Sequence, residues 1–237
     1  MPATLSATLR QVDAITPRSR LLTIDLGGQP LAFHAGQAVM AGPPGGARRP
    51  YSIASSPEAS ARTGTLEFLV GVGGSPGQEH PLASLAPGSA VEIEGPLGSF
   101  LFPPNPHASH LLFIAGGTGI APLRAMLGHA RLAHPALRAS LMYSARRADE
   151  FAFLPEFEAL AATGQLELHR TVTRDDGDWG GQRGRIGRAH FEAVMHDPGH
   201  TLCFVCGPPQ MVGESVATLT ALGVPDAAIL REEWGRK

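Results

Sequence analysis

The stretch that decides the fold is HLLFIAGGTGIAPLRAMLGHARLAH, residues 110–134. It opens on the short apolar run HLLFIA, passes through the glycine-rich segment GGTG, and continues with residues that have helical spacing. Backbone N–H groups at the start of a helix bind anions such as a pyrophosphate. The stretch therefore predicts a strand–loop–helix unit of the nucleotide-binding type, although it lacks the G-x-G-x-x-G pattern of the usual dinucleotide fingerprint.

Downstream of this unit, strand and helix patterns alternate to the end of the chain. The segments SLMYSA, QLELHRTVTR, TLCFVC and AAILREEW are typical of strands, and DEFAFLPEFEALAAT, AHFEAVMH and PPQMVGESVATLTALG have helical spacing. Such alternation implies a parallel sheet with crossover helices. We therefore predict a parallel-sheet, nucleotide-binding α/β domain over residues 105–237.

Upstream, the pattern indicates short strands separated by turns. The strand-like runs are ATLSATLRQVDAI, RLLTIDLG, GQAVMAG, PYSIASS, TLEFLVGV and AVEIEG. Between them lie the turn-forming segments GGQP, GPPGGARR, SSPEASARTG and APGS. Six short strands predict an antiparallel barrel over residues 1–104. The proline-rich FPPNPHAS, residues 102–109, is expected to join the two domains.

Charge excludes several function classes. The net charge of −2 and the 17% of charged residues argue against nucleic-acid binding by a basic face. Lys237 is the only lysine and the last residue, which rules out a P-loop and disfavours Schiff-base chemistry. The other 18 of the 19 basic residues are arginines, a bias that is explained by genome composition or by phosphate binding.

Metal and membrane sites are not expected either. Two cysteines are too few for a four-cysteine iron–sulfur cluster or a Cys-rich zinc site, and the ten histidines are scattered. MPATLSATLRQVDAIT has no basic segment followed by an apolar one, which predicts no signal peptide. The long charge-free stretch, residues 95–123, contains five prolines and is not expected to cross a membrane. We expect a cytoplasmic protein, acting as a monomer.

The first chemical motif is RPYS at residues 49–52, continuing to Ser55. The Arg49 guanidinium offers a bidentate fork to a phosphate. Tyr51 projects to the same side two residues on, and Ser52 can hydrogen-bond a ring heteroatom. By itself the motif favours an ordinary edge strand that carries an exposed arginine, because short motifs match by chance.

Three further motifs follow in order: GPLGSF (residues 95–100), GGTGIAP (116–122) and CGPPQM (206–211). The first can be a simple turn, whereas the other two follow strands and precede helices. Cys203 and Cys206 form a C-x-x-C pattern, but residues i and i+3 of a strand face opposite sides, so a redox pair is not expected. We interpret Cys203 as a core residue and place Cys206 at the strand's carboxyl end, where α/β proteins bind ligands.

In this order the motifs resemble the ferredoxin–NADP⁺ reductase superfamily, in its bacterial FAD-binding branch without an iron–sulfur domain. The C-terminal pattern Ile229-x-x-Glu232-x-Trp234 resembles the family's acidic and aromatic ending. The resemblance covers essentially the whole chain. It implies hydride transfer from NAD(P)H to N5 of FAD, followed by electron transfer to a separate ferredoxin, flavodoxin or oxygenase component. The alternatives are direct reduction of free flavin, ferric chelate or quinone, and a non-catalytic flavin- or nucleotide-binding subunit.

The resemblance also assigns residues. Arg49 would hold a flavin phosphate, Tyr51 would pack on the isoalloxazine, and Ser52 would hydrogen-bond near N5. Cys206 would stand near the nicotinamide C4, with Glu232 bordering the flavin. The implied catalytic set is Tyr51, Ser52, Cys206 and Glu232. The implied FAD-binding residues, with FMN as the alternative flavin, are Arg49, Pro50, Tyr51, Ser52, Ser55, Gly73, Gly74, Ser75 and Trp234. The implied NADPH- or NADH-binding residues are Gly116, Gly117, Thr118, Gly119, Arg146, Arg174, Cys206, Gly207, Pro208 and Met211.

Two points stay open at the level of sequence. The family's flavin-pyrophosphate serine aligns here with Glu79, whose charge would repel a phosphate, or with Ser75 if the gap is placed differently. Arg146 and Arg174 follow the second and third strands of the α/β domain, where the adenosine ribose would lie. An arginine there pairs with a 2′-phosphate and favours NADPH over NADH.

Overall fold

A computed structural model of the chain describes residues 4–72, 80–174 and 177–233. The chain divides into two compact units. The first comprises Met1–Phe102 together with Arg124–Leu132, and the second comprises Pro103–Leu123 and Ala133–Lys237. Among the helices of these described ranges, none combines the length and the apolar character needed to cross a bilayer.

The first unit is an antiparallel β structure. Its strands are β1 (Thr4–Thr16), β2 (Ser19–Asp25), β3 (Ala38–Gly42), β4 (Arg49–Ser52), β5 (Thr65–Gly71) and β6 (Ala90–Leu97). They pair in the order β4-β3-β6-β1-β2-β5. A bridge between Ile53 and Phe68 joins the chain just after β4 to β5, so the two edges of the sheet meet. The predicted six-stranded antiparallel barrel is confirmed.

The barrel interior is filled by alternate side chains of these strands. Burying one such aliphatic or aromatic side chain stabilises the fold by roughly 1.5–3 kcal/mol. The fully buried members include Leu9, Leu22, Ile24, Leu66 and Phe68. This core holds the backbone of β4, which carries the RPYS motif, in a fixed register against β3.

A short helix, α1 (Pro57–Thr63), lies where the sequence predicts only a turn. Ser56 caps its start by accepting a hydrogen bond from the Ala59 N–H at 3.2 Å, and a proline occupies the first turn. Gly64 ends the helix with a φ of +68°. Serine before proline at the start and glycine after the end are the usual capping residues, and they stabilise even a two-turn helix.

The second unit is a parallel α/β structure. Its elements are β7 (His110–Gly116), α2 (Ile120–Ala133, of which Arg124–Leu132 belongs to the first unit), β8 (Arg138–Ala145), α3 (Leu154–Ala162), β9 (Glu167–Val172), β10 (Gln182–Arg183), α4 (Arg188–Val194), β11 (Thr201–Gly207), α5 (Pro209–Ala221) and β12 (Ile229–Glu233). The strands pair in the order β10-β9-β8-β7-β11-β12, all parallel. The predicted parallel sheet with crossover helices is confirmed.

Two details differ from the sequence prediction. The helix predicted from Asp149 onward begins only at Leu154, because Phe153 adopts a left-handed φ of +58° that interrupts the helical path. The two-residue strand β10 is too short to produce a sequence pattern, and it is formed by pairing with β9.

The centre of the sheet explains the apolar runs. Every residue of β7 and β11 is buried, as expected for strands covered on both faces. Cys203 belongs to this core, as predicted, and burial raises the pKa of its thiol to about 12. After β7, the chain adds β8, β9 and β10 in turn on one side of β7. It then reverses and places β11 and β12 on the other side. The ligand crevice of such sheets lies at the carboxyl ends of the strands on either side of this reversal.

Candidate functional site

In the first unit, β4 sets the direction of the RPYS side chains. Tyr51 points inward and is 3% exposed, with its ring stacked on Phe68 at 5.4 Å between ring centroids. Its hydroxyl accepts a long hydrogen bond, 3.5 Å, from the Leu82 N–H. Burial raises the pKa of Tyr51, against smaller lowering effects of that hydrogen bond and of Arg49. The barrel already covers most of this ring, so its contact with a flavin stays a prediction.

Ser52 is the residue of this motif that most directly indicates a ligand. It is buried, and within the described residues its Oγ has no hydrogen-bond partner. Leaving a buried hydroxyl unpaired costs about 1–3 kcal/mol. A ring nitrogen of a bound flavin would provide the missing partner. The unpaired Ser52 hydroxyl therefore fits the flavin that the motifs imply.

The other predicted residues of this unit have different surroundings. The Ser55 hydroxyl lies 2.8 Å from Ser60 Oγ and accepts a hydrogen bond from the Glu67 N–H at 3.2 Å. These contacts connect the chain after β4 to α1 and to β5. Pro50 is exposed and Arg49 is half-buried. Gly73, Gly74, Ser75, Glu79 and Trp234 lie outside the described residues, and their predicted roles stay predictions.

Sequence reasoning missed His80, which lies beside this motif. Its ring centroid is 5.5 Å from that of Tyr51. Its Nδ1 is buried and, in the part of the chain that the structure describes, makes no hydrogen bond. Burial, and secondarily the charge of Arg49, lower the pKa of His80. A histidine next to a proline in a turn-rich loop carries no pattern that could have indicated this position.

In the second unit, the GGTG segment leads from β7 into α2. Gly117 has a φ of +55° and, with Thr118, is exposed. A Cβ built on Gly117 would have no atom within 4 Å, whereas one on Gly119 would lie 2.4 Å from the Cys206 carbonyl oxygen. Of these two glycines, therefore, Gly117 faces open space and Gly119 permits close packing of the backbone.

The loop after β11 packs on the loop after β7 through the remaining glycines. A Cβ on Gly116 would lie 2.6 Å from Met211 Sδ and 2.8 Å from Pro208 Cδ, and one on Gly207 would lie 2.6 Å from Met211 Cε. The predicted contacts of Gly116, Gly119 and Gly207 with the coenzyme stay predictions. Those three are required because the two loops pack against each other.

Tyr143 on β8 is a second residue that the sequence analysis missed. Its buried hydroxyl donates to the Gly117 carbonyl oxygen at 3.1 Å and accepts the Ala152 N–H at 3.1 Å. Burial strongly raises the pKa of this hydroxyl, so it stays protonated and can serve both partners. The sequence did offer one signal for this role, a tyrosine in the middle of a buried strand. A buried phenol needs a hydrogen-bond partner, so such a residue is expected to bond a neighbouring segment.

Two of the predicted catalytic residues meet at the carboxyl edge of the sheet. Cys206 and Glu232 are paired across β11 and β12, and the Sγ donates to Glu232 Oε2 at 4.0 Å. Cys206 is fully buried and Glu232 is half-buried. Pro208 is exposed and Met211 half-buried directly beyond this pair.

The two predicted ribose-side arginines are also adjacent. The Arg174 N–H donates to the Arg146 carbonyl oxygen at 3.0 Å, where the chain leaves β8 and β9 side by side. Both residues are exposed, and neither guanidinium has an ionic partner among the residues described. Arg147, by contrast, pairs with Asp149 at 3.4 Å. This edge of the sheet therefore carries two positive charges that a phosphate could neutralise.

Within residues 4–72, 80–174 and 177–233 there is no cluster of three or more His, Cys, Asp or Glu side chains suited to a metal ion.

Comparison with known proteins bears on both units. Residues 6–102 match the oxidoreductase FAD-binding domain family, and residues 113–216 match the oxidoreductase NAD-binding domain family. Ferredoxin–NADP reductase B of Sorangium cellulosum is 33% identical over 218 residues, which are 87% of this chain and 87% of that protein. The reductase subunit of an aromatic O-demethylase of Amycolatopsis is 32% identical over 235 residues, 97% of this chain and 69% of that protein.

Solved structures agree with these matches. A cytochrome P450 reductase of Amycolatopsis superposes with a TM-score of 0.85 at 32% identity, covering 98% of this chain and 70% of that chain. A ferredoxin–NADP⁺ reductase of Neisseria gonorrhoeae, 21% identical with a TM-score of 0.82, shares the fold over 97% of this chain and 98% of its own. From the two domain matches and the Sorangium relative, the chain belongs to the ferredoxin–NADP reductase family of NAD(P)H-dependent FAD oxidoreductases.

Proposed function

We propose that this chain is a reductase component that takes electrons from NADPH and delivers them to a separate one-electron acceptor protein. Residues 1–104 would hold FAD and residues 105–237 would hold the nicotinamide coenzyme. The observation that carries the proposal is the meeting of Cys206 with Glu232, 4.0 Å apart at the carboxyl edge of the parallel sheet. A subunit that only bound nucleotide would have no need to keep a buried thiol and a carboxylate together there.

Each half of the site has its own residues. FAD, when bound, supplies the chemistry of accepting a hydride and releasing electrons one at a time. Arg49 would bind a flavin phosphate. The Ser52 hydroxyl, which has no hydrogen-bond partner among the described residues, would hydrogen-bond the flavin ring. The exposed Gly117 and Thr118 would bind the coenzyme pyrophosphate at the start of α2. Cys206 would pack beside the nicotinamide and orient it, since hydride transfer depends on close positioning of donor and acceptor.

The acceptor is proposed from the relatives. One is named a ferredoxin–NADP reductase and another the reductase subunit of an aromatic O-demethylase. The two cysteines of this sequence cannot bind a four-cysteine cluster, so the one-electron centre would belong to a ferredoxin, flavodoxin or oxygenase component. Neither cysteine forms a disulfide, which supports a reducing, cytoplasmic setting. We propose that the reductase acts there as a monomer.

The test of the reductase half-reaction is anaerobic reduction of the FAD-loaded protein. Adding NADPH should bleach the flavin absorbance of the wild type, and Cys206→Ala should slow the bleaching at least tenfold. Cys203→Ala is the matched control, because it removes a thiol from the same strand at a core position. Control and wild type should bleach at equal rates. A protein that binds no flavin would overturn the proposal, and rapid bleaching of Cys206→Ala would remove Cys206 from the mechanism.

Coenzyme choice is tested at the paired arginines. Arg174→Gln should raise the KM for NADPH about tenfold, the equivalent of about 1.4 kcal/mol, and leave the KM for NADH unchanged. Arg147→Gln, next to Arg146 but already paired with Asp149, is the control and should change neither. Equal effects of Arg174→Gln on both coenzymes would contradict the preference for NADPH.

A further inference from the structure

Tyr143 joins two loops of the second unit through one hydroxyl. The hydroxyl donates to the Gly117 carbonyl oxygen and accepts from the Ala152 N–H, both at 3.1 Å. The fully buried ring packs edge-on against Phe151 and Phe157, with 5.0 and 6.5 Å between ring centroids. Because the ring is held in place and the Ala152 N–H is bound to the oxygen, the O–H is directed toward Gly117.

The Gly117 carbonyl group is therefore held inward. Its second donor is the Ile120 N–H at the start of α2, which divides its hydrogen bond between the carbonyl oxygens of Gly117 and Thr118. Gly117 has a φ of +55°, and a glycine restricts its own φ and ψ less than any other residue. The orientation of the peptide group between residues 117 and 118 thus depends on hydrogen bonds, and the bond from Tyr143 is the undivided one.

The other end of this peptide group points outward. In a planar trans peptide the C=O and N–H bonds point in opposite directions, so an inward Gly117 carbonyl directs the Thr118 N–H to the outer side of the loop. Both residues are exposed. Thr118 lies in the 3₁₀ turn Gly117–Gly119 that leads into α2. The first N–H groups of a helix have no partner within the helix, and they bind anions.

We propose that Tyr143 is a positioning residue for the coenzyme pyrophosphate, because its hydroxyl fixes the peptide orientation that presents the Thr118 N–H to the phosphates. This proposal rests on the proposed function, which supplies the coenzyme. The tyrosine side chain lies buried behind the loop and would act through Gly117, without touching the coenzyme. A carbonyl oxygen in place of the N–H would face the phosphates with a partial negative charge and repel them.

This role predicts a kinetic pattern that differs from that of the other site residues. NADPH and NADH carry the same pyrophosphate, so loss of the hydroxyl should weaken both coenzymes equally. Replacement of Arg174, by contrast, should affect NADPH alone. The nicotinamide is held elsewhere, beside Cys206, so the rate at saturating coenzyme should change little.

The experiment compares Tyr143→Phe with the wild type in the FAD-loaded protein, using ferricyanide as the electron acceptor. The substitution removes the hydroxyl and keeps the ring. The KM values for NADPH and NADH should both rise about tenfold, as expected for a misplaced hydrogen bond to a charged group, while kcat and flavin content stay constant. Binding of 2′-phospho-ADP-ribose, which carries the pyrophosphate, should weaken about tenfold. Binding of 2′-AMP, which lacks it, should not change.

Ser140→Ala is the matched control, because Ser140 also has a buried, hydrogen-bonded hydroxyl on β8. That hydroxyl lies near the amino end of the strand, 2.8 Å from His110 Nε2, and donates to Glu167 Oε2 at 3.0 Å. Both substitutions should lower the unfolding midpoint in urea, since each leaves a buried polar group unpaired. Tyr143→Phe alone should change the affinity for the two coenzymes.

The outcomes separate this inference from the proposed function. A wild type that NADPH does not bleach contradicts the proposed function, and the inference fails with it. If the wild type is reduced normally but Tyr143→Phe keeps its coenzyme affinity, or loses 2′-AMP as strongly as 2′-phospho-ADP-ribose, the role of Tyr143 is structural and the inference is overturned. If Tyr143→Phe does not fold, the amide NMR spectrum of the wild type decides. The Thr118 N–H signal should shift with 2′-phospho-ADP-ribose and not with 2′-AMP, and an unmoved signal contradicts the inference.

Discussion

At the scale of single residues, neighbouring glycines of one loop have different physical reasons to be glycine. Gly117 has a left-handed backbone and open space around it. The φ of Gly119 lies outside the left-handed region. Its Cα, however, lies so close to the Cys206 backbone that no side chain fits there. A sequence motif with several glycines therefore combines positions that a ligand needs with positions that the packing of two loops needs.

Gly119→Ala should destabilise the protein and weaken NAD(P)H binding together. The added Cβ, 2.4 Å from the Cys206 carbonyl oxygen, must push the two loops apart, and such overpacking costs about 1–3 kcal/mol. Gly213→Ala is the matched control, because this α5 glycine has no atom within 4 Å of the new Cβ. Alanine should stabilise that helix by roughly 0.5–1 kcal/mol. Urea unfolding measures both variants, and an unchanged unfolding midpoint for Gly119→Ala would contradict the packing argument.

At the scale of elements, α2 is bound to the barrel by side chains of its Arg124–Leu132 segment. Arg124 Nη1 lies 2.6 Å from Glu67 Oε2 and 3.1 Å from the Ala54 carbonyl oxygen. Further along the helix, His129 Nδ1 donates to Glu58 Oε1 at 2.6 Å. These contacts explain why this segment belongs to the same compact unit as the strands.

A double-mutant cycle on Arg124→Met and Glu67→Gln should give a coupling free energy of about 1 kcal/mol. The two side chains are only 19% and 25% exposed, so solvent screens their attraction less than that of a surface pair. The control cycle uses Arg188 and Glu192 on α4, which are 59% and 51% exposed. That pair should couple by about 0.2–0.5 kcal/mol. Equal coupling in the two cycles would show that the Arg124 contact is an ordinary surface ion pair.

Glu58 should make the stability of the barrel depend on pH. Burial alone would raise the pKa of Glu58, but the hydrogen bond from His129 and smaller effects outweigh it, so the pKa lies below the usual 4.5. A lowered folded pKa means that the contribution of Glu58 is complete above pH 4.5 and disappears as the pH falls through the folded value.

Urea unfolding of Glu58→Gln and of the wild type checks this dependence. The variant should be less stable at pH 7, and the difference should shrink on going to pH 3. A difference of the same size at both pH values would contradict the assignment.

At the scale of the whole molecule, the compact unit that contains the barrel is not continuous in sequence. It ends at Phe102 and resumes at Arg124–Leu132, after β7 and the glycine loop. A fragment of residues 1–104 therefore lacks part of its own unit. It should unfold at lower urea than the barrel of the full chain, as followed by far-UV circular dichroism.

A synthetic peptide of residues 120–133 should raise the unfolding midpoint of that fragment at millimolar concentration. A short isolated helix is marginal in water, so weak binding is expected. The same peptide with Arg124→Ala is the control and should have less effect. A fragment as stable as the full chain would show that the helix segment contributes nothing to the barrel.

Much of this architecture could be predicted because its signals are local. The central strands β7 and β11 are apolar throughout, since both faces of the sheet are covered, and the strand–glycine–helix order of the nucleotide unit lies within one stretch. The helix α1 was missed because two turns are too short for a periodic pattern and only its caps are distinctive. Tyr143 and His80 were missed because their roles depend on partners that lie elsewhere in the chain.

The sequence by itself determined the fold class, the order of the motifs and the family, because periodicity and short motifs are properties of neighbouring residues. Only the tertiary structure decided which glycine faces open space, which hydroxyl and imidazole nitrogen lack a partner among the described residues, and that Cys206 meets Glu232. These are contacts between residues far apart in the chain, 26 positions for Cys206 and Glu232 and 57 for Arg124 and Glu67. Pairing of strands and burial create them, and no local pattern encodes them.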